Sequence, residues 1–301
     1  MSDKFRTKLR LGVAGCGKAY RRYYQRYLDE SNKWKLVCCC DTSGERRKWM
    51  KDSISGLSVF EKVDQMISKC ELDALLVLTP PSTHFALVTK ALENGLHVLV
   101  EKPMATSASN ARKMANLAFE KEKHLWVGFN RRFKKNYQKV KGLLEPIEAK
   151  EIVFAKHKLV TCPERWDAFT SFLLEDEEGG GALHDLASHQ IDLIPWLFGH
   201  NLKEIGTSEL VKDGRHTTYV KYELKLERGL IVECEAGHAD YSEESLEIKV
   251  NNKSIYSRNG EVRETTWLPP KAIQAYFQMK TYINSILFKL NKKESEHVKS
   301  F

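Results

Sequence analysis

The sequence lacks long apolar runs, closely spaced cysteine pairs, internal repeats and low-complexity tracts. Its longest purely apolar runs, such as residues 74–78, are far shorter than the roughly 18 residues that a membrane-spanning helix needs. The first ten residues mix charges with Phe5 and Leu9 and contain no apolar core, so no secretory signal is predicted. With 42% hydrophobic and 29% charged residues, the chain is predicted to be a folded cytoplasmic protein, neither disordered nor fibrous.

The cysteine pattern excludes a disulfide framework and a zinc ribbon. Seven cysteines are present, none in a C-x-x-C pair, and Cys38, Cys39 and Cys40 are adjacent. Their surroundings resemble a buried strand in which Cys serves as a small hydrophobe, so we expect free thiols in a reducing compartment. A zinc site could be imagined from Cys162, His184 and His189. Their spacing fits no tetrahedral pattern, and we predict no metal site.

The net charge of +8 is concentrated near the beginning of the chain. Residues 1–50 carry thirteen Lys and Arg against five Asp and Glu, which accounts for the whole net charge. Such a basic region fits a nucleic acid, a phosphate-bearing cofactor or ordinary solvated helix faces. No nucleic-acid-binding motif accompanies it, so we predict no nucleic-acid partner.

Two domains are expected from the length of 301 residues and from a change of pattern near residue 128. Up to residue 127, apolar strands alternate with helices, which indicates a doubly wound α/β domain with a parallel sheet. Residues 128–301 have longer strands with few helices between them, which indicates an α+β domain with a mostly antiparallel sheet. The strands are predicted at 9–14, 36–40, 74–78, 97–100 and 125–127, then at 151–158, 219–227, 230–236 and 246–250, with later helices at 182–198 and 271–290.

The turn after the first strand carries the strongest local signal for a ligand. Gly15 permits a tight turn, and Gly17 lets the backbone approach a pyrophosphate. The helix that follows offers free N–H groups and the positive end of its dipole. Tyr20 replaces the third glycine of the G-x-G-x-x-G pattern, which weakens the motif but keeps the phosphate cradle.

Asp41 strengthens this interpretation. It follows the second strand, where an acid can accept a hydrogen bond from a ribose 2′-hydroxyl, although a helix-capping or turn role is equally open. The glycine turn and the acid together predict dinucleotide binding. An acid repels a 2′-phosphate and so favours NAD, while Arg46 and Arg47 are near enough in sequence to admit NADP.

Four further segments, all in order, resemble one known family. They read TPPSTH at 79–84, ALENGLHVLVEKPM at 91–104, VGFNRRF at 127–133 and GGGALHDLASHQID at 179–192. The chain resembles the glucose–fructose oxidoreductase/inositol dehydrogenase/MocA family of NAD(P)-dependent oxidoreductases from about residue 9 to 199. The resemblance implies a Rossmann domain over 1–127 and an α+β substrate domain over 128–301. It also implies hydride transfer with a sugar, polyol or sugar derivative, and a homodimer or homotetramer formed through the open-faced second sheet.

The resemblance also implies roles for particular residues. Glu101-Lys102-Pro103 matches the family's E-K-P, whose lysine lies by the nicotinamide and the reacting hydroxyl, usually with a cis proline. Asp185 and His189 match its D-x-x-x-H, with His189 as the acid or base and Asp185 as its orienting partner. At i, i+4 the two share one helix face, as an ordinary surface ion pair would too. Cofactor contacts are implied for Gly15, Gly17, Asp41, Thr79, Pro80, His84, Glu101 and Lys102, and substrate contacts for Arg131, Arg165, Trp166, Asp185 and His189.

Two questions stay open at this level. A non-catalytic, dinucleotide-sensing regulator on the same fold is the second interpretation, although a regulator would be expected to lose Lys102 or His189, and both are present. Asp192 could contact substrate or serve as a cap or surface residue.

Relatives commonly continue into a final helix from a point similar to Phe301, so we expect a naturally short or truncated C-terminus.

Overall fold

The computed structural model describes residues 8–162, 176, 179–251 and 253–266, and these form two sheets. In the first sheet six strands pair in parallel in the order β3-β2-β1-β4-β5-β6. Every residue of the strand at Ala74–Val77 is buried, as expected between two layers of helices. The strands are β1 (Leu9–Ala14), β2 (Trp34–Cys40), β3 (Ser58–Phe60), β4 (Ala74–Val77), β5 (His97–Val100) and β6 (Leu125–Val127).

The helices of this domain begin at recognisable signals. The Ser43 and Ser107 side chains each accept a hydrogen bond from a first-turn N–H, and Pro81 opens a third helix, where its missing N–H costs nothing. Cys38, Cys39 and Cys40 are buried in β2 as free thiols, which confirms their use as small hydrophobes. The helices are a π-helical turn (Tyr20–Tyr24), α1 (Gln25–Asp29), α2 (Gly44–Ser53), α3 (Val63–Lys69), α4 (Pro81–Glu93) and α5 (Ala108–Glu120).

The strand order places a binding crevice between β1 and β4. The chain winds outward in opposite directions from these two neighbouring strands, and open α/β sheets bind ligands beyond the carboxyl ends of the strands at such a point. The loops that follow β1, β2, β4 and β5 all meet at this edge. They carry Gly15, Asp41, Thr79 and Glu101.

The second sheet is mostly antiparallel, as predicted. Its order is β13-β12-β11-β7-β10-β9-β8, and only β7 and β10 pair in parallel. The sequence interpretation missed β8, β12, β13 and α6, and the helix expected at 271–290 lies outside the described residues. The elements are a 3-10 turn (Asn130–Phe133), α6 (Lys135–Leu144), a 3-10 turn (Ala149–Glu151), β7 (Ile152–Thr161), a π-helical turn (Leu183–Ala187), α7 (Ser188–Phe198), β8 (Leu202–Asp213), β9 (His216–Leu226), a 3-10 turn (Glu227–Gly229), β10 (Ile231–His238), β11 (Glu243–Val250), β12 (Lys253–Arg258) and β13 (Glu261–Thr266).

One face of the second sheet packs on α6 and α7. Tyr137 and Leu193 from these helices share an apolar core with Leu224 of β9 and Val232 of β10. The alternate residues on the other face include Val153 and Ile231, which are 67% and 46% exposed. Over the part of the chain that is described, no helix has the length and apolarity that crossing a membrane requires.

Candidate active site

The loop after β1 contains two glycines, Gly15 and Gly17, and a different physical reason explains the small residue at each position. Gly15 has a φ of +92°, and a Cβ there would lie 2.8 Å from the backbone carbon and oxygen of Leu78. Only glycine fits this position without strain. Gly17 is not in the left-handed region, and a Cβ there would meet only the Arg46 guanidinium, at 3.6 Å. Because the protein itself leaves room for a side chain at 17, the space over Gly17 fits a bound phosphate group.

Asp41 fastens this loop to the end of β2. Its Oδ2 accepts a hydrogen bond from the Cys16 N–H at 2.8 Å, and its Oδ1 accepts one from the Ser43 N–H at 2.9 Å. The Arg46 guanidinium lies 3.6 Å from Oδ2. A carboxylate offers about four acceptor sites, so these contacts leave capacity for a ribose hydroxyl. Asp41 therefore has the predicted turn role, and its contact with ribose stays a prediction.

Tyr20, in the place of the third glycine, is completely buried. Its ring packs edge-on against Trp49 with centroids 6.3 Å apart, and the Arg21 guanidinium lies 4.1 Å from the Trp49 ring centre on another side. The helix here is a π-helical turn, which is wider than an α-helical one. The buried Tyr20 ring thus fills the space between helix and strand that would be closed by tight packing if residue 20 were glycine. The glycine loop before it is still present.

His84 connects two of the loops at the carboxyl ends of the strands of the first sheet. It is completely buried, with Nε2 2.8 Å from the Thr79 carbonyl oxygen and Nδ1 2.9 Å from the Pro103 carbonyl oxygen. Burial lowers the pKa of His84. The hydroxyl groups of Thr79 and Thr83 lie 2.6 Å apart, and Thr83 also donates to the Pro80 carbonyl oxygen at 2.8 Å. In this geometry His84 positions the loops after β4 and β5, and its contact with a cofactor stays a prediction.

The Glu101-Lys102-Pro103 segment is held from the helix after β1, through Tyr24, a residue that the sequence analysis did not single out. The peptide bond between Lys102 and Pro103 is cis, as the resemblance implied. Glu101 Oε1 accepts a hydrogen bond from the Tyr24 hydroxyl at 2.6 Å, and Oε2 accepts one from the Lys102 N–H at 3.1 Å. Burial, together with the Glu101 charge, raises the pKa of Tyr24, so its hydroxyl remains a donor.

Lys102 and Asp185 join the two domains. The Lys102 ammonium group forms an ion pair with Asp185 Oδ1 and donates a hydrogen bond to the Asp185 carbonyl oxygen at 3.1 Å. The two side chains are only 17% and 13% exposed. Lys102 follows β5 of the first sheet, and Asp185 lies in the π-helical turn before α7. The two predicted residues therefore meet, although they are far apart in sequence.

His189 lies one helical turn beyond Asp185 and is buried. Its ring meets Phe129 edge-on, with centroids 6.2 Å apart, and its Nδ1 has no hydrogen-bond partner among the described residues. Burial lowers the pKa of His189 well below its usual value, and the charges of Lys102, Arg131 and Lys134 lower it further. The imidazole is therefore neutral near pH 7, which is the form that can accept a proton.

A buried polar cluster holds α7 against the sheet. Gln190, next to His189, places its Nε2 2.7 Å from His157 Nδ1, and the Tyr222 hydroxyl donates to Gln190 Oε1 at 2.8 Å. The Tyr137 hydroxyl lies 2.8 Å from His157 Nε2. Because hydrogen bonds satisfy these buried groups, the cluster fixes the rotation of α7. Its members come from four separate elements, so no local sequence pattern could have revealed it.

Arg131 is already paired. It forms an ion pair with Glu244 at 2.6 Å, and Lys134 reaches the same carboxylate at 2.7 Å. Burial would raise the pKa of Glu244, but the two cations outweigh burial and hold this pKa at about 2. The three side chains border an open cavity of about 510 Å³ between α6 and the ends of β7 and β11. Contact between Arg131 and a substrate stays a prediction.

The remaining candidates are placed as follows. Asp192 accepts a hydrogen bond from Arg132 Nε at 2.8 Å within an ion pair, and His184 Nδ1 lies 3.1 Å from the Gly180 carbonyl oxygen. Among the residues that are described, no three His, Cys, Asp or Glu side chains are grouped as metal ligands would be. Arg165 and Trp166 lie outside the described residues.

The sequence matches two family descriptions. Residues 9–129 match the oxidoreductase family with an NAD-binding Rossmann fold, and residues 149–256 match the GFO/IDH/MocA C-terminal domain. Inositol 2-dehydrogenase of Corynebacterium glutamicum is 26% identical over 233 residues, which is 75% of this chain and 66% of that protein. The rhizopine catabolism protein MocA of Rhizobium meliloti is 31% identical over 193 residues, which is 64% of this chain and 58% of that protein. The chain thus spans 58% to 66% of the length of these relatives, which is less than two thirds.

Solved structures share the fold. The WlbA dehydrogenase from Bordetella pertussis, in complex with NADH and UDP-GlcNAcA, superposes with a TM-score of 0.77 at 23% identity, covering 88% of this chain and 85% of that one. The myo-inositol 2-dehydrogenase from Lactobacillus plantarum gives 0.74 at 22% identity, covering 84% and 77%. With both domains matched in order and the same architecture, this chain belongs to the Gfo/Idh/MocA oxidoreductase family and begins with that family's NAD-binding Rossmann domain.

Proposed function

We propose that the protein is an NAD-dependent dehydrogenase that transfers a hydride between nicotinamide and a CH–OH carbon of a sugar, polyol or sugar derivative. The observation that carries the proposal is the Lys102–Asp185 ion pair between the domains, one helical turn from the buried, neutral His189. Similar proteins include an inositol 2-dehydrogenase and a D-glucoside 3-dehydrogenase of Escherichia coli. These names support the substrate class proposed here.

The residues at the carboxyl edge of the first sheet fit NAD. The open loop at Gly17 would hold the pyrophosphate, Asp41 would accept from the adenosine ribose, and Glu101 and Lys102 would lie at the nicotinamide end. When bound, NAD supplies the carbon that accepts the hydride. The carboxylate of Asp41 disfavours a 2′-phosphate. Arg46, 3.6 Å from that carboxylate, would offset the repulsion in part, so we propose that NAD is preferred and NADP is accepted more weakly.

The chain's own residues would manage the substrate hydroxyl. As the alcohol is oxidised its O–H bond breaks, and the proton passes to His189, whose Nδ1 accepts no hydrogen bond from the described part of the chain. The Lys102 ammonium group would hydrogen-bond to the substrate oxygen and stabilise the negative charge that develops there. Asp185 holds Lys102 in place. Phe129 and the burial of His189 keep water from the base.

A panel of sugars, inositols and nucleotide sugars, screened with both NAD and NADP by the absorbance of the reduced nicotinamide, tests this proposal. With a substrate in hand, Lys102→Met and His189→Ala should each lower turnover by about a hundredfold or more. Cofactor affinity, measured by calorimetry, should stay nearly unchanged. Lys113→Met on the exposed side of α5 is the matched control. Wild-type turnover in both site variants would refute the acid–base assignment, and NAD binding without turnover of any compound would favour a dinucleotide-sensing regulator.

We further propose that the protein works in the cytoplasm as a homodimer or homotetramer. The face of the second sheet that no described helix covers supports the homo-oligomer, because it exposes Val153, Val211 and Ile231. Light scattering at micromolar concentration should give a mass of two or four chains. A monomer at that concentration would contradict it.

A further inference from the structure

The proposed reaction does not use a pair of histidines of the second sheet, His238 and His216, of which His238 lies near Asp185. His238 ends β10 and His216 begins β9. His238 Nδ1 lies 2.8 Å from His216 Nε2, and the two ring centroids are 5.1 Å apart. His238 Nε2 lies 3.9 Å from Asp185 Oδ2, while Asp185 Oδ1 pairs with Lys102. The two oxygens of one carboxylate thus face partners from different domains.

We propose that His238 is a positioning residue for the dehydrogenase reaction. Its Nε2 lies 3.9 Å from Asp185 Oδ2, and the attraction between an Nε2–H group and that oxygen favours the orientation in which Oδ1 pairs with Lys102. His216 supports His238 by fixing the position of its ring proton. The inference rests on the function proposed above, because Lys102 matters for catalysis only if hydride transfer occurs here.

The hydrogen bond between the two rings determines where the protons lie. A neutral imidazole has one N–H group, so one of the two facing nitrogens donates and the other accepts. If His238 donated from Nδ1, its Nε2 would turn a lone pair toward the Asp185 carboxylate, which is repulsive. If His216 donates from Nε2, the proton of His238 sits on Nε2 and faces the carboxylate. The second arrangement is favoured because a negative oxygen attracts an N–H group.

The surroundings of His238 favour a role in positioning Asp185 over a role in neutralising the charge of that carboxylate. The carboxylates of Asp185 and Asp176 raise the pKa of His238, whereas His216 and Lys102 lower it. The side chain of His238 is only 2% exposed, and burial lowers the pKa of His238 to about 4. His238 is therefore neutral near pH 7. It orients Asp185 and leaves the negative charge of that carboxylate to Lys102.

Two substitutions separate positioning from proton transfer. His238→Gln keeps an N–H donor of similar reach that cannot titrate, whereas His238→Leu removes the donor. We expect the Gln variant to keep kcat within about threefold of wild type and the Leu variant to lose about tenfold or more, with the KM for NAD unchanged in both. His200→Leu, just after α7, is the control. Equal loss in both variants would overturn positioning in favour of proton transfer, and no loss in either would remove any role.

Labelling of the Lys102 amine gives a readout that needs no substrate. If His238 holds Asp185, its loss frees the carboxylate to turn away, and the Lys102 amine is released from its ion pair and becomes open to the reagent. Acetic anhydride should then label Lys102 about threefold faster in His238→Leu than in wild type or His238→Gln, with Lys113 as the internal reference. Equal rates in all three proteins would overturn the proposal. Labelling that follows this order, in a protein that oxidises no substrate, would uphold the geometry and refute the proposed function instead.

Discussion

The buried side chain of His157 makes the stability of the second domain depend on pH. His157 is completely buried, and its ring nitrogens lie within hydrogen-bond distance of Tyr137 and Gln190. Burial lowers the pKa of His157 to about 3, against about 6.5 in an unfolded chain. Between these values the unfolded chain binds a proton that the folded protein does not. The contribution of His157 to stability is therefore complete above about pH 6.5 and is lost progressively as the pH falls toward 3.

The size of this effect follows from the two pKa values. Between pH 7.5 and pH 5, His157 alone should lower the free energy of unfolding by about 2 kcal/mol. His157→Gln keeps amide groups for hydrogen bonding but has no proton to gain. We therefore expect the loss on acidification to be about 2 kcal/mol smaller in the variant. Urea unfolding followed by circular dichroism at pH 7.5 and pH 5 measures the difference.

The control is His200→Gln, which lies outside the buried cluster and should keep the wild-type response to pH. A lower stability of His157→Gln at pH 7.5 would not matter, because the prediction concerns the difference between the two pH values. The same difference in wild type and His157→Gln would refute the reasoning. It would mean that water or a rearranged cluster solvates the protonated ring in the folded protein.

Three further predictions concern the loop and the base. Gly17→Ala should fold normally yet lose at least about tenfold in NAD affinity, measured by calorimetry. Gly15→Ala should instead lower the free energy of unfolding by about 1–3 kcal/mol. Unchanged NAD affinity in Gly17→Ala would contradict the phosphate cradle. Asp41→Asn should raise the NADP to NAD affinity ratio by about tenfold, and a constant ratio would remove Asp41 from cofactor choice. Because burial lowers the pKa of His189, the initial rate of oxidation should stay level through about pH 6.5 and fall only in more acidic solution. A fall already near pH 7 would point to another base.

The first domain could be predicted largely from the sequence because its signals are local. A strand buried on both faces, such as β4 at Ala74–Val77, is an unbroken apolar run, and the next helix begins at Pro81, a residue that favours the first position of a helix. The second sheet has weaker signals. β8, at Leu202–Asp213, exposes Ile205, Leu210 and Val211 among charged residues, so its pattern does not separate a buried face from an open one.

The candidate site likewise has residues that the sequence predicts and supporting contacts that it does not. Lys102, Asp185 and His189 stand in short motifs that a single sequence shows, and the structure pairs Lys102 with Asp185, one helical turn before His189. Their supporting contacts could not be predicted, since Tyr24 and Glu101 are 77 residues apart and leave no common pattern. His84 shows the opposite case. It stands in a matching motif, and only the three-dimensional structure shows that each of its ring nitrogens lies 2.9 Å or 2.8 Å from a backbone carbonyl oxygen.

The π-helical turn at Leu183–Ala187 affects the directions in which the side chains before and after it point around the helix axis. Such a turn contains one residue more than an α-helical turn, and each residue of an α-helix advances the side chains by about 100° around the axis. Asp185 points toward Lys102 from within this turn, while Gln190 meets His157 beyond it. Deleting one residue here would preserve every side chain of the site and rotate one of these two contacts away from its partner. The spacing itself therefore encodes part of the site, and substitutions alone would not reveal it.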